Sequence, residues 1–122
     1  MSYTQGLFKK KYNLEERTSE SKRITDKYPE RVPIIVEVSK RNIDDFKTLD
    51  KQKFLVPQDL TVGQFAYIIR KRVKLESKSA MYLIINGKMI NTNANIGDIY
   101  ETDKDHDNFL YVCICMESVF GN

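Results

Sequence analysis

Phe109-Leu-Tyr-Val-Cys-Ile-Cys-Met116 is an unbroken run of eight apolar residues near the end of a 122-residue chain. A run with no polar alternation suits a strand covered on both faces, which places it centrally in a sheet. The rest of the chain has to supply its neighbours. Met81-Tyr-Leu-Ile-Ile85 and Lys88-Met-Ile90 flank Asn86-Gly87, the dipeptide suited to the positive φ angles of a type I′ turn, and predict a hairpin. Ahead of it, Thr61 with Gln64 three residues on forms a capping-box signal. It opens an amphipathic helix in which Val62, Phe65, Ala66, Ile69 and Val73 recur at helical spacing, the expected core helix.

Asn13 with Glu16 is a second capping box and starts a predicted helix over 14–28, ended by Pro29. Its stripe of Leu14, Thr18, Ser21, Ile24 and Tyr28 is thin, so this helix is expected outside the main core. Residues 33–38 read as a first strand, 39–50 as a polar connection, and Lys53-Phe-Leu-Val56, closed by Pro57, as a short second strand. A short helical turn is expected over 96–100. Two strands, a long helix across them, a hairpin and a late central strand describe an α+β fold, the ubiquitin-like β-grasp with an N-terminal helical extension. With 41% apolar residues the chain has enough for one compact domain. It divides into a leader and helical extension over 1–31, a β-grasp core over 32–116 and a C-terminal tail over 117–122.

Charge is unevenly placed. Arg70, Lys71, Arg72, Lys74 and Lys78 face only Glu76 within 61–79, and 98–107 sets five acids against Lys104. A basic patch suits nucleic acid, an acidic peptide or an anionic membrane, and is equally a solvated face. Catalytic constellations are missing. His106 is the only histidine and sits among acids, and Asp103, Asp105 and Asp107 have neither the glycine nor the bidentate glutamate of a calcium loop. Cys113 and Cys115, two apart on one strand face, read as reduced, buried thiols rather than nucleophiles or metal ligands. No apolar run reaches the roughly 18–20 residues of a membrane span, and the N-terminus lacks a signal-peptide core, so a soluble intracellular precursor without cofactor or metal is expected.

Six blocks, in order, resemble the autophagy ubiquitin-like modifiers, the family that includes GABARAP and light chain 3. They are Lys27-Tyr-Pro-Glu-Arg-Val-Pro-Ile-Ile-Val-Glu37, Lys53-Phe-Leu-Val-Pro57, Asp59-Leu-Thr-Val-Gly-Gln-Phe65, Ile69-Arg-Lys-Arg72, Phe109-Leu-Tyr111 and Glu117-Ser-Val-Phe-Gly121. The resemblance implies a non-enzymatic modifier. A cysteine protease would remove Asn122, and the Gly121 carboxylate would pass through activating and conjugating enzymes to the amine of phosphatidylethanolamine, the covalent lipid that replaces any cofactor. The lipidated form would sit on autophagosomal or cytoplasmic-vesicle membranes and recruit cargo receptors.

Those receptors would dock by an aromatic-x-x-aliphatic strand added at 53–56, with two anchors in two pockets. Carried over from the family, the first pocket would use Glu20, Ile24, Pro33, Ile35, Lys53, Leu55 and Phe109. The second would use Phe54, Val56, Pro57, Leu60, Phe65 and Ile68, and Arg31, Lys51, Lys53 and Arg72 would meet the motif's acids. A monomer with no nucleic-acid partner follows from the same resemblance. Two other readings stand beside it: a lipid-independent adaptor or microtubule-associated light chain, and a ubiquitin-like modifier attached to proteins. The chain departs from the family pattern at Asn13-Leu14, in a longer 40–51 segment, at Asn91-Thr92-Asn93 and in its leader. There Lys9-Lys10-Lys11 reads as a disordered solubilising arm or as a contact for membrane or tubulin.

Overall fold

A computed structural model describes residues 3–74 and 80–116. Helices α1 (Leu7–Lys11) and α2 (Leu14–Lys27) lead into strand β1 (Arg31–Val38). Strand β2 (Lys53–Pro57), helix α3 (Val62–Val73), strands β3 (Met81–Ile85) and β4 (Lys88–Met89), helix α4 (Ile96–Asp103) and strand β5 (Leu110–Met116) follow. The strands form one mixed sheet in the order β2-β1-β5-β3-β4, with β1 and β5 parallel and the other pairs antiparallel. The fold is the α+β, ubiquitin-like grasp expected, with the N-terminal helices added.

Period-two alternation sorts the strands onto two faces. Val32, Ile34, Val36 and Val38 of β1, Phe54 and Val56 of β2, and Leu110, Val112 and Ile114 of β5 point inward to meet Val62, Phe65, Ile69 and Val73 of α3. Both capping boxes form. The Asn13 side chain accepts from the Glu16 N–H and that of Thr61 from the Gln64 N–H, each with its reciprocal bond, so both helices begin where the sequence places them. Asn86 and Gly87 adopt φ of 51° and 77°, the two positive values of the expected hairpin turn.

Five expectations are corrected. The leader is no disordered arm: Leu7–Lys11 is helical, and a helix this short persists only through packing, here of the buried Phe8 against Ile24, Ile35 and Phe109. The inward face of α2 is Arg17, Ser21 and Ile24, while Leu14 and Tyr28 are exposed. The polar 39–50 connection contributes two core side chains, Phe46 and Leu49, and carries a 3₁₀ turn at Lys40–Asn42. There Asn42 accepts from the Met116 N–H at 3.0 Å and pins the end of β5. α4 runs to Asp103 rather than ending as a short turn. Finally, β5 is central but covered fully on one face only: α1 and α2 stop over Tyr111, and Cys113 and Cys115 are half-buried.

What turns α2 inward at Arg17 is a carboxylate. Asp107 is fully buried and accepts from Arg17 Nε at 2.8 Å, from the Phe109 N–H at 2.8 Å and from the Tyr111 hydroxyl, while its carbonyl accepts from Ser21 Oγ. Arg17 also donates to the Tyr12 carbonyl at 2.7 Å, which fixes the α1–α2 corner. Burial first, and then the bond to Asp107, push the Tyr111 phenol well above its ordinary range, so it stays a donor. Next to it, Lys9 pairs with Asp105 at 2.6 Å. Asp105 and Asp107 are thereby committed to helix anchoring.

Candidate functional site

Among the described residues β2 pairs only with β1, so its other side is a free sheet edge. In the antiparallel register Ile34 lies opposite Phe54 and Pro33 opposite Leu55, and the Val36 N–H donates to the Gln52 carbonyl at 2.8 Å. Hydrogen-bonded pairs alternate along such a ladder. Phe54 and Val56 therefore turn their backbone groups to β1, whereas Lys53 and Leu55 present theirs at the free edge. Side chains alternate as well: Leu55 lies on the outer face under α2, and Phe54 and Val56 on the inner face under α3.

On the outer face, Ile24, Pro33, Ile35 and Phe109 are buried. The Phe8 ring meets Phe109 edge-on with centroids 5.5 Å apart, and half-buried Leu55 packs against the same cluster. Glu20 and Lys53 close the rim as an ion pair, and Glu20 also accepts from Arg23 Nε at 2.7 Å. The bonds from Arg23 and then Lys53 hold the Glu20 carboxyl down at about 2. All seven residues assigned to the first pocket thus lie at one place, four of them buried as its floor. Phe8 is an additional member; its signal was the apolar pair Leu7-Phe8 ahead of three lysines.

The second set divides by depth. Phe54, Val56 and Phe65 belong to the main core, with the Phe54 and Phe65 rings edge-on at 5.7 Å, while Pro57 and Ile68 are exposed and Leu60 is half-buried. Leu60 and Ile68 line an open groove of about 510 Å³ with Gly63, Gln64, Tyr67 and Thr92. The loop bearing Leu60 is held by α4: Ile96 N–H donates to the Leu60 carbonyl and Gly97 N–H to that of Gln58, both at 2.8 Å. A Cβ at Gly97 would stand 2.7 Å from the Gln58 carbonyl oxygen, so the close approach requires glycine. The sequence marks Thr92 only as part of a departure from the family pattern and Tyr67 not at all, because neither contributes to a helical or strand core stripe.

Cations ring the edge. Lys51 Nζ lies 5.0 Å and the Arg72 guanidinium carbon 5.8 Å from the Phe54 ring centroid, and Arg72 Nε pairs with Asp50 at 2.9 Å. Arg31 makes a long contact of 3.4 Å to the Leu55 carbonyl. Exposed pairs of this kind are worth little individually, so an incoming carboxylate can compete with Asp50 or Glu20 for them. Arg70, Lys71 and Arg72 also complement the negative end of the α3 dipole.

Elsewhere, His106 is exposed, and burial, then the Cys115 thiol, push the Cys113 thiol up to about 12. Among the described residues no three His, Cys, Asp or Glu side chains converge to hold a metal, and no helix is long and apolar enough to cross a membrane. Gly121 and Asn122 lie outside the described residues.

A family model described as "Autophagy protein Atg8 ubiquitin like" matches residues 16–121. The chain is 46% identical over 116 residues to autophagy-related protein 8 of Mycosarcoma maydis, covering 95% of this chain and 97% of the relative. It is also 46% identical to autophagy-related protein 8c of Arabidopsis thaliana, over 93% of this chain and 94% of that one. Among solved structures, ATG8 of Trypanosoma brucei superposes with a TM-score of 0.83 at 39% identity, covering 94% of this chain and 97% of the other. Plasmodium falciparum Atg8, solved in complex with a peptide of Plasmodium falciparum Atg3, gives 0.78 at 30% identity over 88% and 94%.

Proposed function

Since the chain belongs to the Atg8 family of ubiquitin-like autophagy proteins, we propose that it is cleaved after Gly121, joined to phosphatidylethanolamine and used as a membrane-bound docking platform. The observation that carries the docking half is the free β2 edge, with apolar groups on either face and cations around it. An extended peptide adds its main chain to Lys53 and Leu55 there. One anchor lies on Leu55 beside the Glu20–Lys53 pair, the next on Leu60 and Ile68, and flanking acids meet Lys51, Arg31 or Arg72. The solved Plasmodium Atg8–Atg3 peptide complex supports a conjugating enzyme as one partner, with cargo receptors as others.

The conjugation half is supported by the family match, which runs to residue 121. A protease thiolate attacks the Gly121 carbonyl, Asn122 leaves as the amine, and water then hydrolyses the acyl-enzyme thioester to release the Gly121 carboxylate. The freed carboxylate is activated, carried as a thioester and transferred to the lipid amine, which forms an amide as the thiolate departs. Intact-mass spectrometry of the cellular protein tests this directly. The expected species has lost Asn122 and gained one phospholipid; a chain keeping Asn122, or one found only in protein adducts, overturns it.

The groove has its own test. Leu55→Ala is expected to weaken a Trp-x-x-Leu peptide roughly five- to tenfold in calorimetry, since about half of a leucine side chain's burial is at stake at ~0.8 kcal/mol per methylene. Lys53→Ala is expected to act in the same direction. Unfolding should stay cooperative in both variants, and unchanged affinity in both would remove the groove.

A further inference from the structure

The half of the outer sheet face beyond α1 and α2 carries two thiols. Cys113 and Cys115 project from β5 on the side of Tyr111, opposite to Val112 and Ile114 of the core. The register sets Cys113 between Glu37 of β1 and Ile84 of β3, with Cys115 beside Tyr82. These thiols line a cavity of about 370 Å³, whose wall includes Gln5, Glu37, Ser39 and Asn86. Glu37 is only 6% exposed and accepts from the Gly6 N–H at 2.9 Å, so a carboxylate held by the N-terminal arm shares the cavity wall with the two thiols. The Cys115 thiol is close enough to Cys113 to act on its ionisation.

A disulfide does not suit this spacing. Residues two apart on a strand are about 6.6–6.8 Å apart, with parallel Cβ directions. A disulfide needs Cβ atoms about 3.8 Å apart. Rotation about χ1 can instead place the sulfurs on either side of a small ion, where two metal–thiolate bonds of about 2.3 Å span ~4.6 Å. No third His, Cys, Asp or Glu converges with them among the described residues, so a closed tetrahedral zinc site lacks its ligands. Hard cations prefer oxygen, whereas thiolates select soft ions such as cuprous copper. The site calls for a soft monovalent metal content with two ligands.

We propose that Cys113 and Cys115 form a two-thiolate site for a cuprous ion on the floor of this cavity. Two S–H bonds give up their protons to solvent and two Cu–S bonds form; copper remains cuprous and no electron moves. Coordination overcomes the burial that otherwise pushes the Cys113 thiol up, because a metal-bound thiol is deprotonated outright.

The test is anaerobic titration of the reduced full chain with Cu(I) held by a chromogenic cuprous chelator. One copper per chain is expected to leave the chelator, with thiolate-to-copper absorption in the near ultraviolet. Cys113→Ser and Cys115→Ser are each expected to lose at least about a hundredfold in affinity, more than loss of a supporting contact costs a metal site. The double variant should take up none. Alanine variants replace the serine ones if a buried hydroxyl unfolds the chain, with cooperative thermal melting as the criterion. Failure to draw copper from the chelator, equal uptake by the double variant, or tighter binding of Zn(II) than of Cu(I) would overturn the proposal.

Discussion

Replacing Gly121 with alanine is expected to eliminate the phospholipid adduct and the membrane-bound pool while leaving the fold untouched. A C-terminal tail has to enter the narrow active sites of a protease and of a thioester-forming enzyme in extended form, and the absence of a Cβ leaves the glycine carbonyl open to a thiolate or an amine. Under the proposed conjugation, membrane binding follows from what that carbonyl acquires. No helix among the described residues can cross a bilayer. One acyl chain gives only marginal attachment even at ~0.8 kcal/mol per buried methylene, whereas the two of phosphatidylethanolamine anchor stably. Membrane flotation and intact mass read the result. A chain shortened to end at Gly121 should form the adduct without the protease, and the same shortened chain carrying Gly121→Ala separates failed cleavage from failed conjugation. A Gly121→Ala chain that still floats with lipid attached would refute the terminal-glycine mechanism.

Asp107→Ala is expected to be the most damaging single change to the body of the protein. It strips the partner from Arg17, whose side chain is 10% exposed, and leaves the Phe109 N–H and the Tyr111 hydroxyl without their acceptor. Removing one member of a buried ion pair costs about 3–5 kcal/mol because the other charge stays buried and uncompensated. In a domain of this size that is a fall in melting temperature of roughly 10–20 °C. Asp107→Asn keeps the shape and should cost less. The damage should also be local: amides of α1 and α2 should lose protection from hydrogen exchange before those of β1 and β5. Since Phe8 and Ile24 close the floor beneath Leu55, peptide affinity at the β2 edge should fall with it. A loss below about 1 kcal/mol would mean that the network is dispensable.

The legibility of the fold follows the range of the interactions. Asn13 with Glu16 and Thr61 with Gln64 are contacts three residues apart, and Asn86-Gly87 is its own turn, so the starts of α2 and α3 and the hairpin are readable from local chemistry. Arg17 and Asp107 are 90 residues apart, and nothing local marks either as buried. That is why the stripe of Leu14, Thr18, Ser21, Ile24 and Tyr28 holds Ser21 and Ile24 of the inward face but misses Arg17 and includes the exposed Leu14 and Tyr28. α1 has no side-chain cap and too few residues to show a period, so only its docking makes it a helix. An apolar run such as 109–116 identifies a central strand but not how far each face is covered, and Cys113 and Cys115 lie where the cover ends. The pocket residues came from resemblance rather than periodicity. Most are ordinary core positions, and it is the free edge beside them that makes Leu55, Leu60 and Ile68 available.

That free edge has a bearing on how the protein behaves in a crowd. A bare strand edge is a template for any extended chain, including the same edge of another copy. Here the template is five residues long, carries Lys53 on the strand, has Lys51 just before it and finishes at Pro57, which has no N–H to offer. Two copies meeting edge to edge bring these lysines against one another, and like charges facing each other across strands repel. An acidic segment meets the reverse balance. Lipid attachment would pack many such chains onto one surface, and the same cations that admit a partner's strand would keep neighbours from zipping together.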